Sequence, residues 1–324
     1  MNQQFDLFRK EPRQETPRRK HSPARSTWTV DDEETWVRKL EETGRYRILR
    51  KLSPRPIVPR ALSPYPRVGV VVDTETTGLD YTKSEVIELG MVAFTYDDDG
   101  RIGDVIGVFS ALRQPYAPIP PEITRLTGIT DEMVAGKTIA LEAVEAFIEP
   151  ADLVIAHNAK FDRPFCERLA SGFSPKAWAC SVSEIAWADR GFEGTKLGYL
   201  IGQCGFFHEG HRAVDDCHAL LEVLARPWRD GLVTPFAELL HSSDKTRIRI
   251  WATSSPFEMK DQLKARGYRW SDGSDGRPKA WWTEVAEEDS EDELKFLRTE
   301  IYQWPDIEPP TKKLMAHDRF KAQD

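Results

Sequence analysis

With 324 residues and 40% hydrophobic content, the chain holds enough apolar material for about two domains of ordinary size. It has no run of eighteen apolar residues, no apolar N-terminal stretch and no C-x-x-C pair among its four cysteines, which argues against a membrane span, a signal peptide and a disulfide framework; a cytoplasmic protein is expected. A net charge of −8 argues against a protein that coats nucleic acid, but the charge is uneven: Met1 to Arg67 carries 16 Lys+Arg against 9 Asp+Glu, a surplus of +7 that leaves −15 on the remainder.

In chain order, residues 1–30 form a polar, basic tail expected to be disordered. A short amphipathic helix is predicted over DDEETWVRKLEE, with acids in its first turn. It is followed by a proline-rich linker, SPRPIVPRALSPYPR, so that 31–66 reads as helix plus linker. RVGVVVD (67–73) has the near-continuous Val run of a centrally buried strand. VIELGMVAFTYD (86–97) and RIGDVIGVFSAL (101–112), separated by an Asp/Gly-rich turn, read as a hairpin. Short helices are predicted within 121–135 and a fuller one over 138–149, then a buried strand, DLVIAH (152–157). Further helices are predicted at 161–171, 181–190, 196–203 and 214–225. In the last of these Cys217, Leu220, Leu221 and Leu224 fall at i, i+3, i+4 and i+7. Strands first and then alternating helix and strand imply one mixed sheet with helices packed on it, over 67–230.

After a helix at 233–242 the texture changes. KTRIRIWAT alternates as a strand, FEMKDQLKARG reads as a helix closed by Gly267, and YRWSDGSDGRPKAWWTEV reads as two strands around a turn. SEDELKFLRTEIY opens with the capping-box pattern of Ser290 and Glu293. Residues 245–305 are therefore expected to form a small α+β domain. It holds five of the ten tryptophans, interleaved with Arg and Lys. Most of these rings are expected in a core, and a nucleic-acid-binding surface is the second reading.

The chemistry concentrates in three places. In VVVDTETTG, Asp73 and Glu75 are two apart on a strand and share a face. Paired carboxylates repel one another, and a divalent metal reverses the sign of that interaction, because Mg²⁺ takes hard oxygen ligands. Asp162 follows the strand DLVIAH in HNAKFDRPF, where Pro164 suits the first turn of a helix. HRAVDDCHALLEVL places His211 in a loop and Asp216 on the first turn of the amphipathic helix, beside its buried face.

DTETTGL, AHNAKFD and H-x4-D, in this order, resemble the three exonuclease motifs of the DEDD superfamily, His-containing branch. PPEITRLTGIT (120–130) is similar to a segment recurrent in proofreading members such as the polymerase III epsilon subunit. The resemblance covers about 68–228. It implies an RNase H-like α/β fold with a mixed five-stranded sheet flanked by helices. It further implies that Asp73, Glu75, Asp162 and Asp216 bind two Mg²⁺ (or Mn²⁺) ions, that His211 is the general base, and that Thr76, Leu79, Asn158 and Phe161 line the terminal nucleotide. The tyrosine branch would carry Tyr where this chain has Arg212. Thr76 stands where short-RNA exonucleases of the family usually carry Met, which favours DNA over RNA as the nucleic-acid partner.

The N-terminal QFDLF is similar to the bacterial sliding-clamp-binding pentapeptide, which would make Gln4, Phe5, Asp6, Leu7 and Phe8 a docking motif on a flexible arm. The expected function is a metal-dependent 3′–5′ exonuclease acting on DNA 3′ ends in repair or proofreading. The alternatives are an exoribonuclease and a catalytically silent adaptor that binds nucleic acid or the clamp.

Overall fold

A computed structural model describes residues 29–322 except 229, 230, 232 and 275. The expected clamp motif, Gln4 to Phe8, lies outside the described residues. The chain divides into two units, one ending at Ile48 and one beginning at Leu49. In the first, helix α1 (Val30–Glu42) starts at Thr29. The Thr29 side chain accepts from the Asp32 N–H, and the Asp32 carboxylate accepts from the Thr29 N–H, a reciprocal capping box.

The second unit carries the sheets. β1 (Arg50–Lys51) pairs in parallel with β7 (Phe206–Phe207). The central sheet comprises β2 (Arg67–Thr76), β3 (Val86–Tyr96), β4 (Ile102–Leu112), β5 (Leu153–Ala156) and β6 (Ala177–Cys180), in the order β4-β3-β2-β5-β6. β2, β3 and β4 run antiparallel, whereas β5 and β6 run parallel to β2. Helices α2 (Pro121–Thr127), α3 (Asp131–Val134) and α4 (Leu141–Ile148) fill the crossover from β4 to β5. α5 (Ala159–Leu169) follows β5, and α6 (Leu197–Gln203), α7 (Ala213–Ala225) and α8 (Pro235–Asp244) complete the layers. The period of two along β2 sorts its valines. Val71 packs with α7 residues Leu220 and Leu224, whereas Val70 and Val72 pack with Phe165 and Cys166 of α5. This is the mixed, helix-flanked five-stranded sheet expected from the sequence.

The small sheet has the antiparallel order β11-β8-β10-β9, from β8 (Arg247–Ala252), β9 (Arg269–Ser271), β10 (Ala280–Ala286) and β11 (Thr311–Leu314). Helices α9 (Lys260–Ala265) and α10 (Ser290–Phe296) lie on one of its faces, with Leu263, Leu297 and Ile301 packed on Ile250. β11 falls beyond the 245–305 segment read from the sequence.

Three local expectations are corrected. Residues 181–190 form turns rather than a helix, because the Glu184 carboxylate takes the Cys180 N–H and the Trp187 indole N–H donates to the Ser181 carbonyl. Ser290 does not cap α10. Its hydroxyl donates to the Glu287 carbonyl, and Glu293 instead accepts from Arg266 and Tyr268. Pro164 sits inside α5 rather than in its first turn. Of the five tryptophans, Trp251 and Trp282 are buried and Trp270 and Trp304 are exposed. Among the described residues no helix is long and apolar enough to cross a membrane.

Candidate active site

Asp73 and Glu75 project from the C-terminal half of β2 on the face covered by α7. Asp216 lies on the first turn of that helix. One ligand oxygen from each of the three lies within 4.8 Å of the others. α7 reaches the strands because β3 has Gly90 opposite Asp73. A Cβ on Gly90 would lie 2.4 Å from the Ala213 carbonyl carbon, so only glycine permits this approach.

Asp162, buried on α5, stands apart from the trio. Its Oδ1 accepts from both the backbone N–H (3.1 Å) and the hydroxyl (2.8 Å) of Thr74, the residue between Asp73 and Glu75 that faces the α5 layer. It is nevertheless near enough to bear on Asp73. Burial, then Asp162, Asp216, Glu75 and Glu88 in turn, hold the Asp73 carboxyl well above the usual carboxylate range. Burial, reinforced by Asp216 and Glu88, pushes Glu75 up to about 8. Burial pushes Asp162 to about 7 against the opposing Thr74 hydrogen bonds. Buried like charges held together in this way are stabilised by a bound cation, and an all-carboxylate oxygen set fits a hard divalent metal.

His211 is exposed and adopts a left-handed backbone, φ 64°. Its N–H donates to Asp216 Oδ2 at 2.8 Å. The other Asp216 oxygen lies 2.6 Å from Nε2 of His208, a nearly buried imidazole that the sequence reading did not select. Its signal was an H-x7-D spacing just upstream of the H-x4-D. Glu88 was also missed. It is fully buried on β3 opposite Glu75, pairs with Arg212 (2.9 Å) and accepts from the Ala213 N–H at the start of α7. A lone acid inside the apolar run VIELGMVAF is the signal that marks it. The position that distinguishes the tyrosine branch is thus occupied by an arginine that ties the His211 loop to β3.

Thr76 is buried, its hydroxyl donating to the Gly78 carbonyl at 2.7 Å. Leu79 is 86% exposed. Asn158 is exposed at the start of α5, and Phe161 packs on Phe165 with ring centroids 5.0 Å apart. His157 is structural. Its Nε2–H donates to the Thr195 carbonyl, so Nδ1 accepts from the Ser181 hydroxyl, and burial lowers its pKa.

Residues 70–224 match the family model described as Exonuclease. The DNA polymerase III subunit epsilon of Treponema pallidum is 34% identical over 160 residues, covering 47% of this chain and 72% of that protein. This chain belongs to the exonuclease family. The exonuclease-family domain also matches the PolC-type DNA polymerase III of Clostridium perfringens, 31% identical over 163 residues, or 48% of this chain but 11% of that much longer relative. A solved structure of Exonuclease X in complex with 5′ overhanging duplex DNA aligns at a TM-score of 0.37 and 24% identity, covering 48% of this chain and 89% of that one.

Proposed function

We propose that this exonuclease-family chain is a metal-dependent 3′–5′ exonuclease that releases 5′-mononucleotides from DNA 3′ ends, in repair or proofreading. The observation that carries the proposal is the convergence of Asp73, Glu75 and Asp216, with Asp162 beside them, in a setting that opposes their ionisation. In this reading the four carboxylates hold two Mg²⁺ or Mn²⁺ ions. Bound there, divalent metal supplies Lewis-acid activation of water and neutralises charge on the scissile phosphate. His211, on an exposed loop anchored to Asp216, accepts the proton from the attacking water. Thr76, Leu79, Asn158 and Phe161 border the terminal nucleotide, with exposed Leu79 available to pack on the base. Thr76 and the relatedness to DNA polymerase III proteins favour DNA over RNA. Gln4 to Phe8 dock on a bacterial sliding clamp, and the protein is cytoplasmic.

The test is a gel assay on 5′-labelled single-stranded DNA and RNA of one sequence, with Mg²⁺, Mn²⁺ or EDTA, beside Asp73→Ala. A metal-dependent ladder shortening from the 3′ end, lost in the variant, is expected. Its absence with both metals in a folded protein would overturn the proposal. For the N-terminal motif, residues 1–12 are titrated against a bacterial clamp with Leu7→Ala and Phe8→Ala as controls.

A further inference from the structure

The alternation that makes β8 a strand also gives its sheet two unlike faces. Ile248 and Ile250 pack beneath α9 and α10, so Arg247, Arg249 and Trp251 lie on the other face. The antiparallel register sets Trp282 opposite Trp251 and Arg269, and Glu284 opposite Arg249. This cationic face borders a cleft of about 450 Å³. The exonuclease domain supplies Asn158 and Lys160, at the start of the helix that carries Asp162, and the C-terminal tail supplies Arg319 and Lys321.

Trp282, only 7% exposed, acts as a pillar rather than a stacking platform. The guanidinium carbons of Arg249, Arg269 and Arg277 lie 5.1, 5.6 and 5.5 Å from its ring centroid, so one indole holds three cations side by side. The carboxylates lining the cleft are Glu184 and Glu284, and each is engaged by an arginine, Arg319 and Arg249 respectively. Among the described residues, Lys160, Arg247, Arg269 and Lys321 have no carboxylate partner. Four such cations, contributed by two domains, suit a polyanion better than a single phosphate. The neighbouring carboxylate cluster would repel an acidic peptide unless metal were bound.

We propose that this cleft binds the sugar–phosphate backbone of a single-stranded nucleic acid whose 3′ end lies at the carboxylates, with Lys160, Arg247, Arg269 and Lys321 on its phosphates. The placement of the 3′ end rests on the exonuclease reading; the backbone site does not.

The experiment measures fluorescence anisotropy of the full-length chain carrying Asp73→Asn, which suppresses hydrolysis. The probes are labelled fifteen-nucleotide and three-nucleotide strands, as DNA and as RNA, over a salt series. Adding Arg269→Ala with Lys321→Ala is expected to weaken binding of the longer strand about tenfold and to lower the salt slope by about 1, leaving the trimer unaffected. Arg269→Lys keeps the charge and should keep most of the affinity. Lys321→Glu alone, outside the small sheet, should also weaken the longer strand. The polymer that shows the loss identifies the ligand. Longer-strand affinity and salt slope unchanged in both folded cleft variants would overturn the proposal. So would an equal loss from Lys295→Ala on α10, which covers the other face of the sheet. Failure of the Asp73-containing protein to shorten DNA, with the cleft variants still losing the longer strand, would sink the exonuclease reading and leave the cleft standing.

Discussion

His208 holds Asp216 from one side, with Nε2 2.6 Å from Oδ1, while the His211 backbone N–H holds Oδ2 from the other at 2.8 Å. The carboxylate on the first turn of α7 is thereby fixed in plane, and its two histidine neighbours do different work. His208 is nearly buried and follows β7, which is pinned by pairing with β1. It orients a metal-binding oxygen rather than meeting substrate. Partners of this kind typically cost 10- to 100-fold in metal affinity when removed, an order-of-magnitude expectation here. His208→Ala should therefore raise the Mg²⁺ concentration needed for half-maximal activity by about that factor, with activity recovering at saturating metal. A Mg²⁺ titration of initial rates measures this directly.

The His211 side chain is free of that task, since only its backbone touches Asp216. His211→Ala should lower kcat by roughly 10² to 10⁴, the range for losing a general base. Extra Mg²⁺ should not restore it. If both variants responded identically to metal, the division of labour between the two histidines would be wrong.

The metal-free protein should lose stability as pH rises. Folded Glu75 titrates at about 8 and Asp162 at about 7, both well above their ordinary values, with burial as the first cause in each. Between the ordinary and the raised values the folded state binds more protons than the unfolded chain, so stability falls with increasing pH. The window runs from about 4.5 to 8 for Glu75. In EDTA the melting temperature should therefore be lower at pH 8.5 than at pH 6. Glu75→Gln should flatten that dependence while abolishing activity, and Mg²⁺ should restore the wild-type melting temperature at the higher pH. Differential scanning fluorimetry across pH, with and without metal, decides it.

Gly90 makes a steric prediction. An added methyl group would meet the Ala213 and Val214 backbone at 2.4 Å, and backbone cannot rotate aside as a side chain can. Gly90→Ala should push the first turn of α7, and Asp216 with it, away from Asp73. Overpacking of this kind costs about 1–3 kcal/mol, so a lower denaturation midpoint and a large loss of activity are expected together. Gly198 in α6 has nothing within 4 Å of an added Cβ. Gly198→Ala should instead stabilise by about 0.4–1 kcal/mol and leave activity unchanged.

The sequence made the strands and the carboxylates legible because both are local patterns. The Val run of β2 and the two-residue spacing of Asp73 and Glu75 need no knowledge of distant residues. What stayed hidden depends on partners far along the chain. β6 is four residues long and too short to show periodicity. Thr74 reads as a spacer until Asp162, 88 residues on, accepts from it. Ser290 and Glu293 match a capping box, yet Arg266 and Tyr268 claim the glutamate. The cationic face of the small sheet was half visible, since KTRIRIWAT separates Arg from Ile. Nothing local showed that the Arg side borders the helix carrying Asp162.

Arg163 sits next to Asp162 on α5 with its side chain fully buried, and its partners come from the C-terminal tail. It donates to the carbonyls of Arg319 (2.7 Å) and His317 (2.8 Å), and also pairs with Glu167 (2.7 Å). The Trp178 N–H of β6 donates to the Ala316 carbonyl, and Arg319 in turn bonds Glu184 and the Ser243 carbonyl. The tail after β11 is thus part of the exonuclease fold, not an appendage of the small sheet. Truncation after Leu314 should strip a buried guanidinium of two carbonyl acceptors, and removing one side of a buried charged pair costs about 3–5 kcal/mol. The truncated protein should melt well below the full chain and lose exonuclease activity, even if the small sheet alone were dispensable. Arg163→Met in the truncated background should recover part of the stability by removing the orphaned charge, while the same substitution in the full chain should destabilise. Opposite signs in the two backgrounds, read by thermal melts of the four proteins, would establish that the tail is held through Arg163. Equal effects in both would show that the two are not coupled.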